Sequence, residues 1–250
     1  MILFFSGTGN SKFVAETIAA DTGDELVSLN EVLKKSVKPA FHSEKPFVLV
    51  APIYAWRLPC PIEALLREAE FTGSDKLYIV ATMGSETGRS SQYCEKLVKQ
   101  KGLRFMGFSG VPMPSNYVVA SMPEETEVNR MIAAAKPVIH ALAQKIAAGE
   151  AIEKTDKTSA AWLKSGLINA MFNRFAVSGG HYVVSDRCVG CGKCAEFCPT
   201  NNITMQNKKP VFGKACMSCF GCINRCPNDA IDIKGKSEGR RRYVCPESEA

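Results

Sequence analysis

Over the first 150 residues, short apolar runs alternate with longer amphipathic stretches. That is the pattern of a parallel sheet with crossover helices. The apolar runs predict strands at residues 1–5, 25–28, 47–51, 77–82 and 104–111, and the 3.6-residue periodicity between them predicts helices at 11–20, 61–70, 90–101 and about 124–148. Pro137, inside the last helix, removes a backbone donor and predicts a kink there. Five strands joined this way imply an α/β fold with a doubly wound five-stranded parallel sheet.

From residue 151 the pattern changes. A polar stretch, Glu153-Lys154-Thr155-Asp156-Lys157, precedes Trp162, Leu163, Leu167, Ile168, Met171 and Phe172 at helical spacing, and Ser178-Gly179-Gly180 closes the segment as a flexible joint. The apolar stripe reads as the buried face of a connecting helix packed between domains, with membrane association or a dimer contact as alternatives. The layout is therefore a first domain at 1–150, a connecting helix and linker at 151–180, and a second, smaller domain at 181–250.

The chain has 250 residues, is 46% hydrophobic and carries a formal charge of +6. No apolar run approaches the roughly 18 residues of a membrane helix, and the short run after Met1 lacks a basic leader. A cytoplasmic protein without stable membrane insertion is expected. The run Arg240-Arg241-Arg242 is expected to lie in a solvated basic tail, with docking of an acidic redox partner as the alternative. No groove-reading motif accompanies it, so nucleic acid is not an expected partner. No Ser-His-Asp or paired-carboxylate arrangement can be argued, and His42, His140 and His181 form no ligand spacing.

The chemistry starts with the cysteines. Cys188-x2-Cys191-x2-Cys194-x3-Cys198-Pro199 is followed by Cys216-x2-Cys219-x2-Cys222-x3-Cys226-Pro227, and Ile203 maps onto Ile231 at the same offset. A structural zinc site draws on two separate Cys-x2-Cys knuckles and has no use for a third cysteine and a Cys-Pro. Disulfides do not suit a reducing compartment. The doubled run, over about residues 181–233, resembles the two-cluster bacterial ferredoxins, a small α+β domain that carries single electrons at low potential. The fourth cysteine of each run, beyond a proline-enforced change of direction, reaches the partner cluster. One [4Fe-4S] cluster then takes Cys188, Cys191, Cys194 and Cys226, and the other takes Cys216, Cys219, Cys222 and Cys198. Two such clusters bring roughly −4 of charge and leave the loaded protein near neutral.

The first strand runs into Ser6-Gly7-Thr8-Gly9-Asn10-Ser11 and then a helix. Hydroxyls and backbone donors at a helix N-terminus suit a phosphate. The Walker spacing is absent, and Lys12 stands where a dinucleotide fingerprint needs its third glycine. Ser6, Thr8, Gly9, Asn10 and Ser11 resemble the phosphate loop of the flavodoxin family, which implies FMN. The loops after the third and fourth strands, 52–59 and 82–88, correspond to those that enclose the isoalloxazine ring. The resemblance nominates Pro52, Tyr54, Trp56 and Arg57 from the first of them, and Thr82, Gly84, Ser85 and Gly88 from the second. Tyr117, after the fifth strand, lies on the same edge. Tyr54 or Trp56 would stack on the ring, and Arg57 would stabilise reduced flavin and raise its potential. Cys60, Cys94 and Cys245 belong to neither run and read as small packed or surface residues; for Cys60 the alternative is a reactive thiol, its pKa lowered by the nearby Arg57.

The order of modules resembles flavodoxin-like proteins fused to a C-terminal two-cluster ferredoxin. That resemblance implies electron transfer between FMN and the clusters, with a ferredoxin, a flavoprotein reductase or an acceptor enzyme as redox partner. An FMN-dependent reductase of a small molecule is the alternative, with a redox sensor behind it. Enzymatic activity and oligomeric state stay open.

Overall fold

The computed structural model describes residues 1–35, 37–120, 122–155, 160–177 and 179–248. A five-stranded parallel sheet runs in the order Leu26–Ser28, Ile2–Phe4, Phe47–Pro52, Lys76–Met83, Arg104–Pro112. By position along the chain this order is 2-1-3-4-5, with its topological switch between the first and third strands.

Alternation along the strands divides the interior in two. Ile2, Phe4, Val48, Val50, Tyr78 and Val80 face one core, while Leu3, Phe5, Leu49, Ala51, Ile79 and Ala81 face the other. The helices Asn10–Thr22 and Glu125–Ala147 cover the first face. Cys60–Glu68 and Ser90–Gln100 cover the second. Each fully buried aliphatic side chain contributes roughly 1.5–3 kcal/mol, so this two-sided burial outweighs local propensity. Glu125–Ala147 continues unbroken through Pro137. Where the pairing of the last two strands slips between Leu77 and Ile79, Gly107 sits at φ 121°, and a Cβ there would meet the Ile152 carbonyl oxygen at 2.0 Å. The bulge needs glycine, because residue 152 packs back across it.

The apolar pattern missed the short helix Leu29–Lys35 and a parallel pair of strands, Ala40–Ser43 and Glu70–Gly73. Their polar residues dilute the signal, and the packing of Phe71 against Phe41 and Phe47 defines them instead.

The connecting segment is helical over residues 161–176, with π-type turns at Lys164–Ile168 and Phe172–Ala176. Its expected packing between domains is met only in part: Ile168 and Phe172 line a cavity with Ser218 and Phe220, but much of the stripe is exposed. Trp162 is 67% exposed, Leu167 61% and Met171 52%, while Ser165 and Asn169 are buried. The π turns rotate the stripe off its 3.6-residue register, and the inward face is chosen by hydrogen bonding. Ser165 Oγ accepts from the Arg89 amide at 2.8 Å, and Asn169 Nδ2 donates to the Ala55 carbonyl at 2.8 Å. Of the expected joint, Ser178 lies outside the described residues, as do Asp156 and Lys157 of the polar stretch.

The last part of the chain is built from two similar halves. Tyr182–Val184 pairs antiparallel with Ile231–Ile233, and Ile203–Gln206 with Lys209–Phe212; the short helices Lys193–Glu196 and Gly221–Asn224 follow the two cysteine loops. Its small core of Phe220, Ile223, Ile231 and Ile233 is completed by Val118 of the first domain. The arginine run is not a solvated tail. Arg242 pairs with the buried Asp232 at 2.5 Å, Arg240 donates to the Ala120 carbonyl at 2.6 Å, and Arg241 lies near Glu124 and Glu125 at 3.6 Å. Beyond it, Tyr243 and Cys245 enter the core of the first domain.

Candidate functional site

Asn10 opens the first helix, so the amides of its first turn have no acceptor within the helix and form its positive end. Gly9 precedes it at φ 102°, where a Cβ would meet Ser248 Oγ at 2.8 Å and Cys245 Cβ at 2.9 Å. The loop is held on several sides. Ser6 Oγ accepts from the Gly9 amide at 3.0 Å, Ser11 and Thr82 share a hydrogen bond of 2.7 Å, and Asn10 Nδ2 donates to the Pro114 carbonyl at 2.8 Å. Asn116 Nδ2 donates to Thr8 Oγ1 at 3.1 Å, and the Tyr243 hydroxyl donates to Asn10 Oδ1 at 2.6 Å.

The next loop is a tight turn in which Tyr54 and Arg57 exchange backbone hydrogen bonds of 2.8 and 3.2 Å. Ala55 and Trp56 occupy its centre at φ 45° and 63°, the left-handed pair of a type I′ turn. Side chains here cost on the order of 1–3 kcal/mol per residue, and neighbours hold the turn in place. Asn169 bonds the Ala55 carbonyl, Ser90 Oγ donates to the Trp56 carbonyl at 2.9 Å, and Trp56 Nε1 donates to Glu86 at 3.3 Å, itself paired with Lys164 at 2.7 Å.

These loops enclose a cavity of about 450 Å³, within the usual range of small-molecule sites. Of the expected residues, Ser6, Thr8, Asn10, Ser11, Pro52, Tyr54, Trp56, Thr82, Gly84, Ser85 and Tyr117 line it. Three expected residues stand elsewhere. Gly9 backs the loop against the C-terminal segment. Gly88 lets the turn and the connecting helix converge, since a Cβ there would meet Ser165 Oγ at 2.3 Å and Trp56 Cβ at 2.6 Å. Arg57 forms a two-pronged ion pair with Glu63 at 2.6 and 3.0 Å, and its guanidinium lies 4.0 Å from the Tyr93 ring centroid.

The cysteines gather in two sets. Cys188, Cys191, Cys194 and Cys226 line one small cavity, and Cys198, Cys216, Cys219 and Cys222 line another. Each set takes three cysteines from one run and the fourth from the other. Among the described residues no group of three His, Cys, Asp or Glu side chains is placed to hold a single metal ion. Burial pushes the Cys219 thiol up to about 12 against the lowering effect of the Gly221 amide, and Cys216 and Cys198 add to the rise.

A family model described as a flavodoxin domain matches residues 1–112, and one described as a 4Fe-4S dicluster domain matches residues 181–227. The chain is a flavodoxin–ferredoxin fusion. Solved structures similar to the fusion include the two-electron reduced flavodoxin of Megasphaera elsdenii, 16% identical over 58% of this chain and 99% of that one, with a TM-score of 0.33. The Trp repressor binding protein of Bacillus subtilis is 12% identical over 58% and 95%, at 0.35. An azoreductase of Bacillus anthracis is 12% identical over 58% and 99%, at 0.38. No curated protein matches. The sheet order and the two family models carry the assignment.

The domains of the fusion imply FMN and 4Fe-4S chemistry, and with them a redox role and redox partners. Its residues fit both groups. The loop at residues 6–11 offers hydroxyls and helix-end amides to a phosphate, and the aromatic side chains of Tyr54, Trp56 and Tyr117 line the same cavity. Four convergent, partly buried cysteines suit a positive core, which would hold them as thiolates that would otherwise repel one another. Among the described residues, no helix is long and apolar enough to cross a membrane.

Sequence reasoning missed part of the cavity wall. Asn116, Ile168 and Phe172 line it, and so do Ser218 and Phe220, which alternate with the cysteines of the second run. Cys-x2-Cys spacing leaves two residues free between ligands, and that was the only available signal. Among the unassigned cysteines, Cys94 and Cys245 are buried and Cys60 is exposed. The Cys60 thiol is raised, not lowered: partial burial of the sulfur and the Glu63 carboxylate outweigh Arg57. Arg57, expected beside the flavin, is paired with Glu63 and does not line the cavity. Arg57→Ala, which leaves the Glu63 carboxylate without its two-pronged partner, is expected to cost roughly 1–3 kcal/mol of stability, read from the urea unfolding midpoint.

Proposed function

We propose that the fusion relays electrons between FMN, held in the 450 Å³ cavity, and two [4Fe-4S] clusters held by the two cysteine sets. Bound FMN supplies one- and two-electron chemistry, and each cluster supplies one-electron chemistry. The supporting observation is the contact between the two modules. Gly7 of the phosphate loop approaches the Cys219 loop so closely that a Cβ on it would lie 2.5 Å from the Cys219 carbonyl oxygen. Arg225 Nε donates to the Gly7 carbonyl at 3.1 Å, and Asn116 bonds both Thr8 and the Cys219 carbonyl. Ser218 and Phe220 then belong to the flavin cavity and to a cluster loop at once.

In this reading Ser6, Thr8 and Ser11 hold the phosphate, Trp56 and Tyr54 flank the ring, and Gly84 and Ser85 offer backbone donors to its edge. The fusion keeps the two modules within contact distance without a diffusional encounter. The set with Cys198 faces the flavin, and the set with the exposed Cys191 faces the redox partner. The units at 1–150, 151–180 and 181–250 follow from this division of labour, in a cytoplasmic setting. An anaerobic reductive titration, followed by visible absorption and paramagnetic resonance, is expected to find one FMN and about eight irons per chain, with flavin and clusters exchanging electrons. Four irons, or a flavin that stays oxidised while the clusters reduce, would refute the relay.

A second reading, reduction of a small molecule, is favoured by one observation. A chamber of about 240 Å³ adjoins the flavin cavity across Tyr117, Phe172, Ser218 and Phe220 and is rimmed by His181, Lys234 and Lys236. Its basic rim suits an anionic substrate.

A further inference from the structure

Tyr54 forms part of the wall of the flavin cavity and also of a separate cavity of about 330 Å³ that it shares with Cys216 and Met217. Its ring packs against the same apolar cluster as Met217 and Cys219. The backbone is pinned by the turn to Arg57 and by Asn169, which donates to the Tyr54 carbonyl at 3.3 Å, so the side chain has little freedom to turn. Its hydroxyl is fully buried and, among the described residues, has no hydrogen-bond partner. Burial holds this hydroxyl well above the usual phenol range, and the nearby sulfurs of Cys219 and Cys216 add to the rise. Leaving a hydroxyl buried and unpaired is costly, and phenylalanine would fill the same space without that cost. A tyrosine here therefore points to an acceptor that arrives with the metal centre. Tyr182 offers a comparison from within the ferredoxin domain, with its hydroxyl 3.6 Å from Cys216 Sγ.

We infer that the Tyr54 hydroxyl donates a hydrogen bond to a sulfur of the centre held by Cys198, Cys216, Cys219 and Cys222, so that a residue of the flavin loop sets the electron affinity of the nearer cluster. The inference rests on the relay proposed above and adds a residue that acts on both sites. A donor at a cluster sulfur favours the more negatively charged, reduced form and raises the potential. Tyr54 shares its second cavity with Cys216, whereas the cavity of Cys188, Cys191, Cys194 and Cys226 is lined, among the described residues, by none from the first domain, so only the centre with Cys216 is tuned in this way.

The test is Tyr54→Phe in the full chain, reconstituted anaerobically and titrated with paramagnetic resonance detection. The centre whose signal disappears in Cys216→Ser is expected to shift to lower midpoint potential. The other centre should keep its potential, and because Tyr54 also lines the flavin cavity, the flavin potential is read in parallel and is expected to move less than that of the tuned centre. Resonance Raman adds a second readout: iron–sulfur stretching bands that shift in deuterated solvent in the wild type should lose part of that shift in Tyr54→Phe. An unchanged potential, an equal shift of both centres, or a shift of the flavin alone would overturn the inference. Failure of the underlying relay reads differently, as a wild-type protein that lacks FMN or one of its centres before any variant is made.

Discussion

Gly7→Ala is expected to weaken FMN binding by tenfold or more while leaving the iron content intact. The new Cβ would lie 2.5 Å from the Cys219 carbonyl oxygen and 3.1 Å from Cys219 Cβ. The first of these atoms is backbone and cannot swing aside. Both sides of the contact are committed: the Cys219 loop holds its ligands, and the phosphate loop is anchored through Ser6, Thr8, Asn10 and Ser11. A forced overpacking of this kind costs about 1–3 kcal/mol, and each 1.4 kcal/mol is about a factor of ten in affinity. The phosphate loop should yield first, because covalent iron–sulfur ligation secures the other side. Flavin fluorescence on titration with FMN measures the loss, and iron analysis checks the clusters. Gly166→Ala is the control, since no atom lies within 4 Å of its added Cβ. Wild-type affinity in Gly7→Ala would mean that the phosphate end of the site lies elsewhere.

Cys198→Ser is expected to remove one cluster, taking iron from about eight to about four atoms per chain. The cluster lost should be the one whose other ligands come from the second run, because Cys198 lines a cavity with Cys216, Cys219 and Cys222. Its residual paramagnetic spectrum should therefore match that of Cys216→Ser and differ from that of Cys194→Ser. The reverse match would show that each run serves its own centre. Cys94→Ser, at a buried cysteine in the core of the first domain, should retain both signals.

Four of the sheet strands and the four helices packed on them were legible as apolar or amphipathic runs, whereas Leu26–Ser28 is three residues long, only partly buried, and is fixed by its pairing with Ile2–Phe4. The side strands at Ala40–Ser43 and Glu70–Gly73 were not, because they pair with each other on a mixed polar surface. Most of the candidate site was legible as well: hydroxyls before a helix, aromatics after a strand and spaced cysteines carry their chemistry in residue type. Arg57 shows the limit. Its charge is visible in the sequence, but its pairing with Glu63 one helical turn into Cys60–Glu68 depends on where the turn at Ala55 and Trp56 points the side chain. The connecting helix shows it again, since hydrogen-bond demand from a strained turn overrode an apolar stripe.

The cysteine spacing, the phosphate loop and the period-two strands determine, without coordinates, that this chain pairs a flavodoxin domain with a dicluster domain. Residue type and local spacing are enough for that, because cluster ligation and phosphate binding are short-range in sequence. Only the tertiary structure decides how the halves meet: Gly7 against Cys219, Asn116 between Thr8 and the cluster loop, and Arg240 and Tyr243 carrying the C-terminal segment back onto the first domain. Those contacts join residues more than a hundred positions apart. Their partners are selected by shape and unsatisfied hydrogen bonds at a surface that exists only once both domains have folded.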